Sequence, residues 1–184
     1  MLFLALRKTH IASAEAIMMG YAISTNQPLP IIITETIGVW IGSQLPDIDQ
    51  RQTRINKKTG VETSVLTLWG HRTWSHSIWI PVFLFILARY SSNSPILNGI
   101  SVYGYKVMGY FYFTLVLGYF LHELLDAFSV EGIRWLYPLG NRKIIRKKGI
   151  FRYKVHSMKE IMIRYVSVTI VVIELIFYLY KNLK

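Results

Sequence analysis

Apolar residues occur in long blocks that are nearly free of charge, and this feature constrains the fold more than any other. The clearest block, "IMIRYVSVTIVVIELIFYLY" (161–180), contains only Arg164 and Glu174 as charged residues. A helix needs about 20 mostly apolar residues to cross a bilayer. A second block, "VMGYFYFTLVLGYFL" (107–121), reaches that length with its flanks. Since 52% of all residues are hydrophobic, we expect an integral membrane protein without a cleavable signal peptide.

Proline and polar segments divide the chain into five predicted helices within a single domain, residues 1–184. Because Pro28, Pro30 and Pro46 interrupt helical backbone, the first two helices are short, and the first contains Glu15. They form either a shallow hairpin or two full crossings. The predicted fold is therefore an all-α, multi-pass membrane bundle with helices at about 8–24, 31–43, 76–90, 103–127 and 158–180.

Basic residues are distributed unevenly among the connections. The net charge of +11 is concentrated in "RQTRINKK" (51–58) and "RKIIRKKGIFRYK" (142–154), whereas 24–30 and 91–99 contain neither Lys nor Arg. We expect the protein to lie in the inner membrane of the cell. Because basic loops stay in the cytoplasm, this asymmetry predicts that the basic face is the cytoplasmic one. We interpret 142–154 as a segment that contacts anionic lipid headgroups. That interpretation is favoured over nucleic-acid binding because no recognition fold surrounds the segment.

Alternating crossings would bring every histidine to the basic face. The first, third and fifth helices begin there, and the second and fourth end there. The chain has five histidines, and all of them lie near these helix ends together with several carboxylates. The residues that share this face are His10, Asp47, Asp49, His71, His76, His122, Asp126, His156 and Glu160.

The chemistry of these residues predicts a metal site. The chain has no cysteine, so ligands would be imidazole and carboxylate, which suit zinc. In "HELLD" (122–126) and "HSMKE" (156–160), a histidine and a carboxylate four residues apart share one helix face. His71 and His76 would diverge by about 140° on a regular helix, so both can be metal ligands only if the helix begins between them. Otherwise only one is a ligand, and His76 is equally suited to ligation and to support.

Other residues are candidates for supporting roles. Of the two carboxylates in "PDID", one can ligate while the other bridges or orients a ligand. Arg72 is suited to hold an anionic oxygen, and Glu123 projects about 100° away from His122. We therefore name Asp47, Arg72 and Glu123 as catalytic candidates. Any single pair is more often a helix cap or a polar surface cluster than a ligand set, and only convergence favours ligation.

A metal site at a membrane surface suggests hydrolysis. Bound metal activates water and polarises ester or phosphoester oxygens, and lipid headgroups or lipid-linked phosphates are the substrates within reach. We expect a metal-dependent hydrolase that binds two zinc ions, and we leave open whether it binds a third. The alternative is a non-catalytic metal-binding membrane protein, a transporter or a regulatory scaffold, and Glu15, Glu35 and Glu174 within apolar helices keep transport open.

Several motifs carry a family resemblance. "KTH" (8–10), "GSQLPDID" (42–49), "HRTWSHS" (71–77) and "GYFLHELLDAFSVEGIRWLYPL" (118–139) resemble the YdjM-like family of membrane-bound proteins. The resemblance implies a multi-helix inner-membrane protein with a metal site and an inferred hydrolase activity.

A weaker likeness concerns bacterial zinc-dependent phospholipases C, which are all-α enzymes. The order of the histidines and carboxylates is similar to theirs. The likeness implies a further ion held by His156 and Glu160, and a main centre with Asp126 as the bridge, formed by His10, Asp49, His71, His122 and Asp126. This chain lacks two of the ligands that those enzymes have, which puts a third ion in doubt.

Overall fold

The computed structural model describes residues 3–49, 73–92, 102–140, 152–154 and 156–182, and within these ranges the regular elements are helices, with one isolated bridge between Ser129 and Tyr153. The helices are α1 (Phe3–Ser24), α2 (Leu29–Gly42), α3 (Trp79–Ser92), α4 (Val102–Ala127) and α5 (Met158–Asn182). Short 3-10 turns cover Pro46–Asp49 and Trp74–His76. The predicted all-α class is confirmed, and the largest difference in bounds is the earlier start of α1.

Helices α2 and α4 run in parallel and approach each other closely through small residues. A Cβ atom added at Gly42 would lie 2.0 Å from the Leu115 carbonyl oxygen, and one at Gly118 would lie 2.4 Å from that of Val39. Gly38 and Gly42 form a GxxxG pattern, which allows two helix backbones to approach. Because contact positions advance together along both helices, α2 and α4 end at the same end of the bundle.

Helices α1 and α5 form the second parallel pair. Thr9 donates to Glu160 Oε1 at 2.8 Å, and the Ser13 and Ser167 hydroxyls are 3.0 Å apart, both contacts being buried. Lys181 donates to Asn26 at the other end of the pair. The short connection between α1 and α2 makes α2 antiparallel to α1. Hence α1 and α5 begin where α2 and α4 end, as the alternating topology predicts.

The shared core lies between α1, α2 and α4. Its buried side chains include both small and large ones that pack against each other. The core residues are Ala14, Met18, Ala22, Ile32, Val39 and Leu121. By contrast, most large side chains of α3 and α5 are exposed, including Phe83 at 60% and Ile176 at 60%. Apolar surface of this extent suits contact with lipid rather than water.

Two described helical segments are long and apolar enough to cross a membrane, Lys106–Ala127 and Met158–Asn182. They correspond to the two blocks whose sequence reaches spanning length. The segments Leu29–Gly42 and Trp79–Tyr90 are apolar but shorter.

Candidate metal centre

A buried cluster of imidazoles and carboxylates lies at the end of the bundle where α2 and α4 end. Asp126, which is 1% exposed, faces His10 through Oδ1 at 3.3 Å and His76 through Oδ2 at 3.3 Å. His122 Nε2 lies 3.7 Å from Asp126 Oδ2 and 3.7 Å from Asp47 Oδ1. We call these residues, His10, Asp47, His76, His122 and Asp126, the Asp126 cluster.

The orientation of His122 is fixed by the backbone of α2. Its Nδ1 lies 2.7 Å from the carbonyl oxygen of Ser43. Since a carbonyl oxygen only accepts hydrogen bonds, Nδ1 carries a proton, and Nε2 is the nitrogen that faces the two carboxylates and is left to bind a metal ion. Backbone carbonyls commonly orient metal-binding histidines in this way. The contact depends on the close α2–α4 packing at Gly42 and Gly118.

A turn before α3 presents His76 to the same carboxylate. His76 Nδ1 lies 3.0 Å from the Ser75 hydroxyl, and the Tyr119 hydroxyl of α4 donates to the Ser75 carbonyl oxygen. Ser77 also donates to the carbonyl oxygen of Tyr137 at 2.8 Å. These contacts fasten the 3-10 turn to α4 and to the loop that follows it, so the His76 ring faces Asp126.

The His10 ring enters the cluster from α1 and stacks on His122. The two ring centroids are 3.9 Å apart with an interplanar angle of 17°. His10 is 1% exposed. Thr9, the preceding residue, is bonded to Glu160 of α5, which fixes the rotation of α1 at this level.

The donor atoms fit a divalent ion. Two overlapping sets of three residues could each hold an ion, and within each set the three ligand atoms lie within 4.8 Å of one another. The sets are His10, His122 and Asp126, and Asp47, His76 and His122. Ligand atoms about 2.0–2.1 Å from a tetrahedral zinc ion are roughly 3.3 Å apart, close to the distances observed. His122 Nε2 is buried and makes no hydrogen bond. Buried polar atoms normally have a partner, so this atom indicates a place for a cation.

The predicted site residues separate into three groups. His10, His76, His122 and Asp126 come together, and Asp47, predicted as a catalytic residue, lies among the candidate ligands. Asp49 belongs to a described turn, but its side chain, like all of His71 and Arg72, lies outside the described residues. Those three ligand or catalytic roles, and the bridging role of Asp126, stay predictions.

The pair His156 and Glu160, predicted to hold a further ion, is not part of the two candidate ligand sets found among the described residues. His156 is exposed, whereas Glu160 is buried and its carboxylate accepts hydrogen bonds from Thr9 and from the His156 backbone N–H at 2.6 Å. Glu160 therefore caps the start of α5 and ties it to α1. A further ion at this pair would share the carboxylate oxygens with these two hydrogen bonds.

Glu123 is buried beside the cluster. It is 0% exposed, and neither carboxylate oxygen makes a hydrogen bond. Glu123 is next to His122 on α4. Its catalytic role stays a prediction.

Sequence reasoning missed the residues that support the histidines: Ser43, Ser75 as a partner of His76, and Tyr119. The contact made by Ser43 involves a backbone carbonyl, which no side-chain pattern reveals. The pattern "GVWIG" (38–42) is the signal that was available, since GxxxG in an apolar helix predicts close helix packing.

Comparison with known proteins gives a family but no described activity. The chain is 30% identical over 100 residues to the uncharacterized protein YvsG of Bacillus subtilis (strain 168), and the match covers 53% of each chain. The chain thus spans about half the length of that curated relative. No solved structure matches. The family described as YdjM inner membrane protein matches residues 6–183, nearly the whole sequence, and this chain belongs to that family.

Proposed function

We propose that the protein is a membrane-bound, metal-dependent hydrolase that cleaves an ester or phosphoester of a lipid or lipid-linked substrate. The supporting observation is the convergence of three imidazoles on one buried carboxylate, from separate segments of the chain. Charged groups buried in an apolar bundle are costly and usually serve a function. When bound, a divalent ion, most simply zinc, would lower the pKa of a water to near neutrality and polarise the scissile group.

The residues of the chain prepare the site in two ways. Burial of the imidazoles excludes bulk water, which strengthens each electrostatic interaction inside the cluster. The Ser43 carbonyl and the Ser75 hydroxyl orient His122 and His76, so that their Nε2 atoms face the carboxylates. His122 Nε2 belongs to both candidate ligand sets and can bind one ion at a time. A second ion would therefore need a different ligand, for which Asp49 and His71 are candidates.

The proposed orientation places the Asp126 cluster at the cytoplasmic membrane surface. The cluster lies where α2 and α4 end, and the basic segments 51–58 and 142–154 follow these two helices. Basic loops are retained in the cytoplasm. The same segments would bind anionic headgroups and hold the five-helix bundle at that surface.

Metal analysis of the detergent-purified protein tests the proposal. We expect bound metal at one ion per chain or more in the wild type, and its loss in His122→Ala. His156→Ala is the comparison: its exposed imidazole lies outside the two candidate ligand sets, so we expect the ion of the Asp126 cluster to be retained. Liposomes incubated with the protein are then analysed by mass spectrometry for cleaved headgroups. Absence of metal, or metal with no product from any lipid, would argue against a hydrolase.

Transport is the second candidate, because two carboxylates lie in the apolar bundle away from the cluster. Glu35 is 0% exposed and both of its oxygens lack a hydrogen bond, as does Oε2 of Glu174. Such groups within a membrane often mark an ion pathway. Metal uptake into proteoliposomes that is abolished by Glu35→Gln would favour transport over hydrolysis.

A further inference from the structure

The guanidinium of Arg7 contacts Gln44 just after the end of α2, next to the residue that orients His122. Arg7 precedes His10 by three positions on α1, so both side chains emerge from the same face, one turn apart. Its Nη2 donates to Gln44 Oε1. Gln44 directly follows Ser43, whose carbonyl oxygen contacts His122. The guanidinium is therefore fixed against the segment that orients His122.

Gln44 is itself oriented, so its contact with Arg7 is directional. Its Nε2 donates to the Trp40 carbonyl oxygen at 2.6 Å, which turns the amide oxygen toward Arg7. Arg7 is half-buried. Gln44 uses one of the five N–H donors that a guanidinium carries, and the amide it binds is neutral. The remaining donors and the full positive charge are available to a ligand.

We propose that Arg7 binds an ionised phosphate oxygen of the substrate, which makes the substrate class a phosphoester and not a carboxylic ester. This inference rests on the proposed function. A guanidinium fork matches the oxygens of a phosphate, whereas the scissile group of a carboxylic ester has no ionised oxygen to bind. In the hydrolysis, the water oxygen bonds to phosphorus and the P–O bond to the alcohol breaks. One water proton goes to the alcohol and the other to the phosphate or solvent.

Lys8 provides a matched control for Arg7. It carries the same charge at the next position of α1 but is exposed. The comparison therefore uses Arg7→Gln and Lys8→Gln, which remove equal charge from the same helix turn. Arg7→Lys keeps the charge but removes the planar fork, so it separates charge from geometry.

The first measurement is calorimetric titration of the zinc-loaded, detergent-purified protein with inorganic phosphate. We expect Arg7→Gln to weaken phosphate binding by roughly ten- to a hundredfold, the range for a lost hydrogen bond to a charged group. Arg7→Lys should lie between that variant and the wild type, and Lys8→Gln should match the wild type. Zinc content should be the same in all four proteins, because Arg7 is not a ligand.

Competition then identifies the source of the phosphate. Short-chain phosphatidic acid in mixed micelles and glycerol 3-phosphate are each tested for displacement of inorganic phosphate from the wild type. Stronger displacement by phosphatidic acid assigns a lipid headgroup to the site. Stronger displacement by glycerol 3-phosphate assigns a soluble phosphoester.

The outcomes separate the inference from the proposed function. Zinc retained in Arg7→Gln with unchanged phosphate affinity, or an equal loss in Lys8→Gln, overturns the role of Arg7 alone. A wild-type protein that binds no metal overturns the metal-dependent function first, and the inference with it.

Discussion

At the scale of single residues, the site depends on which nitrogen of each imidazole faces the carboxylates. The sequence predicts that His122 and Asp126 share a helix face, because they are four positions apart, and the structure places them 3.7 Å apart. It does not predict the tautomer of His122, since this depends on the Ser43 carbonyl oxygen of another helix. Ligand types are thus readable from residue identity, whereas their orientation requires long-range contacts.

Tyr119 provides a test of orientation at this scale. Tyr119→Phe removes only the hydroxyl that donates to the Ser75 carbonyl oxygen, so the His76 turn loses its attachment to α4. We expect zinc affinity to fall about tenfold, the lower range for lost outer-shell contacts, with the helical content unchanged. Competition with a chromogenic chelator measures the affinity. Tyr112→Phe, on an exposed position of the same helix, is the control, and an equal effect there would contradict a specific role.

At the scale of elements, the parallel pairs α2–α4 and α1–α5 determine where the ligands meet. The helices themselves are predictable, because hydrophobic blocks and prolines mark them. Which helices pair with each other is less predictable, since it depends on which helix surfaces fit together. Gly42 and Gly118 bring α2 against α4, and Thr9 with Glu160 sets α1 against α5. The carboxylate of Glu160, expected to bind metal, is used for this second contact.

Close packing of α2 against α4 gives a prediction for stability. Gly42→Ala would place a Cβ 2.0 Å from the Leu115 carbonyl oxygen, and backbone atoms cannot rotate away. We expect the free energy of unfolding to fall by about 1–3 kcal/mol, the usual cost of overpacking. Denaturation in mixed detergent micelles measures it.

Gly109→Ala is the control for that variant, because an added Cβ at Gly109 meets nothing within 4 Å. The same substitution on α4 should be neutral or slightly stabilising, since alanine favours helix over glycine. Equal destabilisation by both variants would count against a tight α2–α4 contact.

At the scale of the whole molecule, alternation of the helices predicts that the ligands gather at one end. The structure confirms a common end for α1, α2, α4 and α5 within the described residues. His156 also lies near that end, and its side chain is exposed. Topology fixes the end of the bundle at which a residue lies, but the side-chain direction depends on local turns, such as the positive φ of 62° at His156.

Metal removal should weaken the whole bundle. The Asp126 cluster joins α1, α4 and the segments that follow α2 and precede α3. When the free concentration of an ion is about 100 times its dissociation constant, binding stabilises the folded state by about 2.7 kcal/mol. We expect a chelator to lower the thermal midpoint of the wild type, measured by tryptophan fluorescence. Asp126→Asn, which lacks the central carboxylate, should not respond, and an equal response would place the ion elsewhere.

The parallel placement of α1 and α5 has a consequence for biosynthesis. Every member of the Asp126 cluster precedes α5 in the chain, so the candidate ligands are already synthesised when α5 leaves the ribosome. Helix α5 then docks onto α1 through Thr9, next to a histidine that an ion would already hold. Metal binding by the nascent chain would thereby prepare the surface of α1 onto which α5 docks.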